Sequence, residues 1–122
     1  MFVVTKFGGS SLSCAKQFKK VRDIVLSDPM RKIVVVSALG KRDANDSKIT
    51  DLLYILHAHL KYSVPYEDVW KIIYDRYVEV RDDLKLDYKI EDELDLIAGQ
   101  LDKNIPQDYL VSRGEFLAAK LM

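Results

Sequence analysis

The sequence comprises 122 residues, a length that fits one domain with a core of its own and excludes a second full domain. Lysine plus arginine equals aspartate plus glutamate, at 19 each, and this balance argues against nucleic-acid partners and against membrane surfaces. The single cysteine, Cys14, cannot form an internal disulfide, and no apolar stretch approaches the ~20 residues of a membrane span, so we expect a cytoplasmic protein.

An apolar run opens the chain and predicts a strand over residues 2–7, buried on both faces because it is almost continuously apolar. The run ends in residues suited to holding a phosphate, namely Lys6, Gly8, Gly9 and Ser10. A glycine pair lets the backbone approach an anion closely, since no side chain intervenes and positive φ is allowed. If a helix begins at Ser10 to Ser13, its free amides favour the anion further, and Lys6 adds a full charge. The same residues also suit an ordinary strand-to-helix turn with a serine cap, so both interpretations stay open.

A helix and a second strand follow in chain order. The helix is predicted by apolar residues at helical spacing before a stop at Asp28 and Pro29, namely Phe18, Val21, Ile24 and Val25. A β-branched run predicts the strand over residues 32–37, and the two strands most simply pair in a right-handed parallel βαβ unit. Ligands of open parallel sheets bind beyond the carboxyl ends of the strands. We therefore expect Gly8, Gly9, Ser10 and Ser37 at one edge of the sheet.

The second half of the chain is predicted to be nearly all helix. Between Ser37 and Thr50, charged and turn-forming residues without periodicity predict a mobile surface loop. Apolar residues then step by three or four along three helical segments, which are separated at Pro65 and near residues 87–88. After Pro106, residues 109–111 suggest a short extended piece, and a last helix is predicted to begin near Ser112.

Two strands alone would leave open edges and bare apolar surface, so we expect the chain to be the front part of a larger domain. Four ordered motifs point to which domain: Lys6-Phe7-Gly8-Gly9-Ser10-Ser11, Val34-Val35-Val36-Ser37-Ala38, Ile49-Thr50-Asp51-Leu52-Leu53 and Ser112-Arg113-Gly114-Glu115. In sequence, order and spacing they closely resemble the aspartokinase family of the amino acid kinase superfamily. The resemblance implies an α/β fold: residues 1–122 form the N-terminal portion of a catalytic domain built as a three-layer αβα sandwich, with parallel strands, a helix-rich second half and no regulatory ACT domain.

The resemblance also implies an activity. Aspartokinases use ATP to phosphorylate the β-carboxylate of L-aspartate, giving 4-phospho-L-aspartate in the first step of lysine, threonine and methionine biosynthesis. The expected ligands are ATP with Mg²⁺, the metal held mainly through the nucleotide phosphates, and L-aspartate. We expect no metal site built by the chain itself and a homo-oligomeric parent enzyme. Because further catalytic groups of the family lie downstream, the fragment alone is expected to be inactive.

Phosphoryl transfer between two anions requires positive charge and fixed donors around the moving group. Lys6 is the catalytic candidate, and it would neutralise charge on the transferring phosphoryl. Gly8 and Gly9 would present amides to the β- and γ-phosphates, and Ser10 would orient the same group through its hydroxyl. The structural alternative for Lys6 is a solvated lysine at the end of a strand.

By resemblance, three further residues belong to the aspartate site. Ser37 lies where the acceptor carboxylate meets the γ-phosphate, Thr50 helps to bind aspartate, and Glu115 pairs with the α-amino group of the substrate. Each also has a structural alternative. Ser37 can simply end its strand, Thr50 can sit in the first turn of a helix, and Ser112 with Glu115 matches a capping box that would start the last helix.

Two other functions stay open. The first is another amino acid kinase, acting on glutamate, acetylglutamate or carbamate, since these enzymes share a lysine and glycine phosphate loop. The Ser112–Glu115 motif argues against them. The second is a non-catalytic α/β interaction module in which the glycine pair is only a turn.

Overall fold

The computed structural model describes residues 3–122, which form two parallel strands followed by a mainly helical half. The strands are β1 (Val3–Phe7) and β2 (Arg31–Val36), and helix α1 (Ala15–Leu26) connects them. The later helices are α2 (Ile49–Lys61), α3 (Glu67–Asp83), α4 (Ile90–Ala98) and α5 (Gln107–Leu121). Phe2, which the sequence assigns to the first strand, lies outside the described residues. None of the helices in residues 3–122 is long and apolar enough to cross a membrane.

The parallel pairing of β1 with β2 is confirmed, with Lys6 opposite Val35 and an irregularity between Val3 and Val4. The predicted burial of both faces is wrong for the described chain, because Val4 is 60% exposed and Ile33 49% exposed. The sequence pattern is that of a strand covered on both faces, but the helices of this chain do not cover these side chains.

The connection after β1 differs from the prediction that a helix begins at Ser10 to Ser13. A short 3₁₀ turn occupies Gly9–Leu12, and the Ser13 hydroxyl donates to the Ser10 carbonyl at 3.3 Å. Cys14 then adopts an extended conformation as the residue before α1 and makes no side-chain cap. The α-helix therefore starts too late for its free amides to coincide with the glycine pair.

The three helical segments predicted between Ile49 and Leu101 are confirmed as α2, α3 and α4. Each buries the apolar residues that mark its period, and these residues meet in one core. The buried set is Ile49, Leu52, Leu53, Leu56 and Leu60 on α2, Ile73, Tyr77 and Val80 on α3, and Ile90, Leu94 and Ile97 on α4. Leu101 follows the end of α4 and packs against this core half-buried.

The end of the chain corrects two predictions. Residues 109–111 are helical rather than extended, and the last helix begins at Gln107 directly after Pro106, not near Ser112. The Ser112 hydroxyl lies inside α5 and donates to the Tyr109 carbonyl at 2.7 Å, so Ser112 is not a cap. Pro106 is the extended residue directly before the helix, with ψ 136°, and the helix that follows it runs through the β-branched Val111.

Candidate functional site

A cleft of about 610 Å³ lies where both strands end. Three segments form it: the turn after β1, the residues that follow β2, and the first turn of α2 with the residue before it. Its lining comprises Gly9, Ser10, Ser37, Ala38, Leu39, Gly40, Lys41, Lys48, Thr50 and Asp51. The cleft thus occupies the carboxyl edge of the sheet, where parallel α/β folds bind their ligands.

Four of the residues predicted from the sequence line this cleft together, namely Gly9, Ser10, Ser37 and Thr50. Lys6, Gly8 and Glu115 do not line it. Lys6 is exposed on β1, and Gly8 is exposed at the residue before the 3₁₀ turn. Glu115 is exposed on α5, well inside that helix. The capping-box alternative for Glu115 is excluded, because α5 begins eight residues earlier, at Gln107.

The two glycines after β1 have different surroundings. Gly8 has φ −77° and ψ 174°, a conformation open to any residue, and a Cβ there would meet no atom within 4 Å. A Cβ on Gly9 would lie 3.2 Å from the Ala38 carbonyl oxygen, so this glycine is in tight contact with the segment after β2. No glycine in residues 3–122 has positive φ, so backbone conformation is not what requires glycine here.

Gly40 was not singled out from the sequence, yet it connects the segment after β2 to the turn after β1. Its N–H donates to the Gly9 carbonyl at 2.9 Å. A Cβ on Gly40 would lie 2.5 Å from the Gly9 carbonyl carbon and oxygen and 2.8 Å from the Ser10 nitrogen. Only glycine permits this backbone-to-backbone approach. A glycine shortly after a strand was the available signal.

The loop before α2, predicted to be mobile, has fixed contacts with α3. Asp46 accepts from the Arg42 side chain at 2.8 Å, and Arg42 also pairs with Glu79 of α3 at 2.8 Å. The hydrogen bond from Arg42 holds the pKa of the Asp46 carboxyl well below its usual range. The buried Arg76 of α3 lies beside Asp46, with 3.4 Å between its Nη1 and Oδ2. Burial lowers the pKa of Arg76, and the Asp46 carboxylate opposes that shift.

Lys41 and Lys48 also line the cleft and were missed in the sequence analysis. The lining contains two ammonium groups and one carboxylate, that of Asp51, so its net charge is positive and suits an anionic ligand. The available signal was their position at the two ends of the loop that follows β2. Within residues 3–122, no three His, Cys, Asp or Glu side chains group closely enough to hold a metal ion.

Helix α5 packs against the far side of the cleft wall through Gly114. A Cβ on Gly114 would lie 2.8 Å from the Ala38 Cβ and 3.1 Å from Leu53 Cδ1, so glycine allows α5 to approach both. The hydroxyl of Tyr77, fully buried on α3, donates to the Gly114 carbonyl at 2.8 Å. These contacts explain why the motif around Glu115 contains a glycine.

Comparisons with known proteins identify relatives over almost the whole chain. Aspartokinase 3 of Bacillus subtilis is 41% identical over 98% of this chain. A crystal structure of Clostridium acetobutylicum aspartate kinase superposes with a TM-score of 0.94 at 46% identity and covers 98% of this chain. Aspartokinase III of Escherichia coli, solved with aspartate and ADP, covers 99% at 28% identity and a TM-score of 0.76. No protein-family model matches the chain.

These matches, together with the parallel strands and the cleft at their ends, define a mixed α/β fold that matches the N-terminal part of aspartokinase structures. Within that class, the chain is homologous to the aspartokinases. It spans 28% of the length of the Bacillus relative and 28% of each of the two solved chains.

Proposed function

We propose that this chain supplies the phosphate-binding turn and part of the aspartate pocket of an aspartate kinase. The reaction is transfer of the γ-phosphoryl group of ATP to the β-carboxylate of L-aspartate, giving 4-phospho-L-aspartate for lysine, threonine and methionine biosynthesis. The observation that carries this proposal is the meeting of Gly9, Ser10, Ser37 and Thr50 in one cleft, in a chain homologous to aspartokinases. Residues 1–122 would be the N-terminal portion of the catalytic domain.

The turn after β1 is the proposed phosphate site. Nothing among the described residues requires glycine at position 8, since its conformation is unrestricted and the space beside it is open. A ligand that must reach the backbone would require it, because any side chain would stand between the phosphate and the amide. Lys6 precedes this turn by two residues and would supply charge to the transferring phosphoryl, while the Ser10 hydroxyl would orient that group.

The side of the cleft formed by the residues after β2 and by the first turn of α2 is the proposed aspartate site. Ser37 would hold the acceptor carboxylate beside the γ-phosphate, and Thr50 would bind the body of the substrate. Lys41 and Lys48 add positive charge where two anions must come together. Glu115 would pair with the α-amino group, a contact that a substrate without the amine could not make. Its exposure on α5 leaves its carboxylate free to do so.

Mg²⁺ would enter with the nucleotide and be held mainly by its phosphates. The chemistry of the lining agrees with this arrangement, since Asp51 is its one carboxylate and Ser10, Ser37 and Thr50 offer only hydroxyls. When bound, the ion supplies charge neutralisation on the phosphate oxygens. This chain's own residues bind and orient the phosphates and the acceptor carboxylate around it.

We further propose a cytoplasmic, homo-oligomeric parent enzyme whose remaining catalytic groups lie outside this chain, so that the 122 residues alone do not turn over substrate. An interaction module without ligands is disfavoured by Gly8, for which a simple turn offers no reason. A kinase for glutamate, acetylglutamate or carbamate is disfavoured because the relatives named above are aspartokinases.

The proposal is tested in a chimaeric enzyme in which this chain replaces the matching segment of a related bacterial aspartate kinase. Lys6→Ala should lower kcat by about 10²-fold or more with little change in the KM for aspartate, because its charge acts on the transferring group. Glu115→Gln should instead raise the KM for aspartate at least tenfold, with a melting temperature close to that of the parent.

Lys32→Ala, an exposed lysine near the start of β2, is the matched control and should leave both constants unchanged. In parallel, Mg²⁺–ATP should shift the amide resonances of Gly8 to Ser10 in the isotope-labelled chain. Normal turnover by the Lys6→Ala enzyme would remove Lys6 from the mechanism. Absence of any shift at Gly8 to Ser10 would argue against the phosphate site.

A further inference from the structure

Arg76 is a buried cation far in sequence from every residue that lines the cleft. It lies on α3 and is 3% exposed. Burying a guanidinium is costly unless its N–H donors are hydrogen-bonded. Its hydrogen-bond partners therefore indicate which parts of the chain it holds in place. All of its hydrogen bonds go to segments that build the cleft.

The guanidinium bridges three backbone segments. Its Nη2 donates to the Gly40 carbonyl at 2.7 Å and to the Ser13 carbonyl at 3.2 Å. Its Nη1 donates to the Ser47 carbonyl at 3.1 Å. Ser13 follows the 3₁₀ turn at Gly9–Leu12, which we call the phosphate turn, Gly40 follows β2, and Ser47 precedes α2. A planar group with five donors suits this task, whereas a lysine ammonium would reach fewer of these acceptors at once.

The contact with Gly40 continues into the phosphate turn. While Arg76 holds the Gly40 carbonyl, the Gly40 N–H donates to the Gly9 carbonyl at 2.9 Å. The two peptide groups that flank Gly40 therefore connect the guanidinium of Arg76 to the backbone of the turn after β1. The carboxylate of Asp46, whose Oδ2 lies 3.4 Å from Arg76 Nη1, compensates the buried charge. Asp46 belongs, like Gly40, to the loop between β2 and α2.

We propose that Arg76 is a positioning residue for the cleft: it fixes Gly40, and through Gly40 the Gly9 side of the phosphate turn, without touching a ligand. The effect on nucleotide binding rests on the function proposed above, whereas the effect on the backbone does not. A structural arginine without this role would stabilise the fold but leave the geometry of the turn unchanged.

The test compares Arg76→Met and Arg76→Lys with a matched control, Arg81→Met. Arg81 lies on the same helix with its side chain 13% exposed, and it donates to Glu91 and to the Tyr88 carbonyl, remote from the cleft. Amide hydrogen exchange is measured on the 122-residue chain without ligand. We expect exchange at Gly40 to accelerate at least tenfold in Arg76→Met and less in Arg76→Lys. In Arg81→Met it should stay within twofold.

Affinity for Mg²⁺–ATP supplies the second readout, taken where all variants are folded. The Kd should rise about tenfold in Arg76→Met, recover in part in Arg76→Lys, and stay within twofold in Arg81→Met. Unchanged exchange at Gly40, or equal losses of affinity in Arg76→Met and Arg81→Met, would overturn the inference. If the chimaeric enzyme that carries the unmodified chain, in which this affinity is measured, binds no ATP, the proposed function fails, while exchange still decides the role of Arg76. If Arg76→Met does not fold, Arg76→Lys decides both readouts.

Discussion

Gly8 and Gly40 are both glycines beside the cleft, but different constraints act on them. Packing against the chain's own backbone requires glycine at position 40, since a Cβ would overlap the Gly9 carbonyl and the Ser10 nitrogen. Backbone atoms cannot rotate away as a side chain can. Gly8 has open space and an unrestricted conformation. Packing within the chain therefore requires glycine at position 40, whereas the glycine at position 8 is available to a ligand.

This division gives a matched pair of substitutions. Gly40→Ala should lower the free energy of unfolding by about 3 kcal/mol, because the backbone around Gly9 must move. Gly8→Ala should leave stability within about 1 kcal/mol of the parent and weaken Mg²⁺–ATP binding at least tenfold. Denaturant unfolding and nucleotide titration measure the two effects. A Gly8→Ala chain that binds ATP normally would mean that no phosphate approaches this backbone.

At the scale of elements, α5 shows how a motif can carry both packing and chemistry. The sequence interpretation treated the Ser112–Glu115 motif as either a helix cap or a substrate contact. The structure removes the cap, because the helix begins at Gln107 and Ser112 lies within it. Gly114 instead sets the distance between α5 and the segment after β2. The partners of Gly114 are remote in sequence, so helical periodicity could not reveal them.

Gly114→Ala should therefore destabilise the chain by about 1 kcal/mol, even though alanine is the better helix former. The added methyl would lie 2.8 Å from the Ala38 Cβ, and this overlap outweighs the gain in helix propensity. Gly99→Ala is the control, because a Cβ there meets its nearest atom at 3.6 Å. That variant should be neutral or slightly more stable. Thermal melts that place both variants above the parent would contradict the close packing of α5.

At the scale of the whole molecule, most of the core lies in the helical half, while the sheet is only partly covered. The core is formed mainly by α2, α3, α4 and α5, whose apolar faces point toward one another. The sheet has two strands and leaves Val4, Ile33 and Val35 exposed. An apolar strand pair of this kind is typical of a sheet that continues. This exposure agrees with a chain that spans 28% of the length of its Bacillus relative.

The stability of the whole chain should fall in acid, in part through the pair that joins α3 to α4. A hydrogen bond from Arg81 lowers the pKa of Glu91 from 4.5 to about 2. A lowered carboxyl pKa contributes stability that is present above the unfolded value and is lost as pH falls toward the folded value. The melting temperature should thus decline between about pH 5 and pH 2.

Glu91→Gln tests this contribution. The variant should melt below the parent at pH 7, and the two should converge near pH 2, where the parent carboxyl is also becoming neutral. Asp92→Asn, an exposed carboxylate on the same turn, is the control and should follow the parent at every pH. A constant difference between Glu91→Gln and the parent across this range would show that the ion pair does not drive the acid sensitivity.

The local elements and the chemistry at the strand ends could be predicted from the amino-acid order alone. Both β-branched runs and three helical periods were predictable because a strand or helix buries residues at fixed spacing. The carboxyl ends of parallel strands share an edge, so Gly9, Ser10 and Ser37 could be expected together. The start of α5 was misjudged because Val111 and the serine of a capping pattern are local signals that a proline and the packed face of the helix outweighed.

The distant groups that complete the cleft are visible only once the chain is folded. Gly40 is recognised by its approach to Gly9, Arg76 by acceptors up to 63 positions away along the chain, and Gly114 by its contact with Ala38. Buried donors and close backbone contacts depend on which elements pack together, and that information is spread over the whole chain. The residues suited to phosphate chemistry can therefore be found in order along the sequence, whereas the buried Arg76, which joins the backbone at Ser13, Gly40 and Ser47, is visible only in the fold.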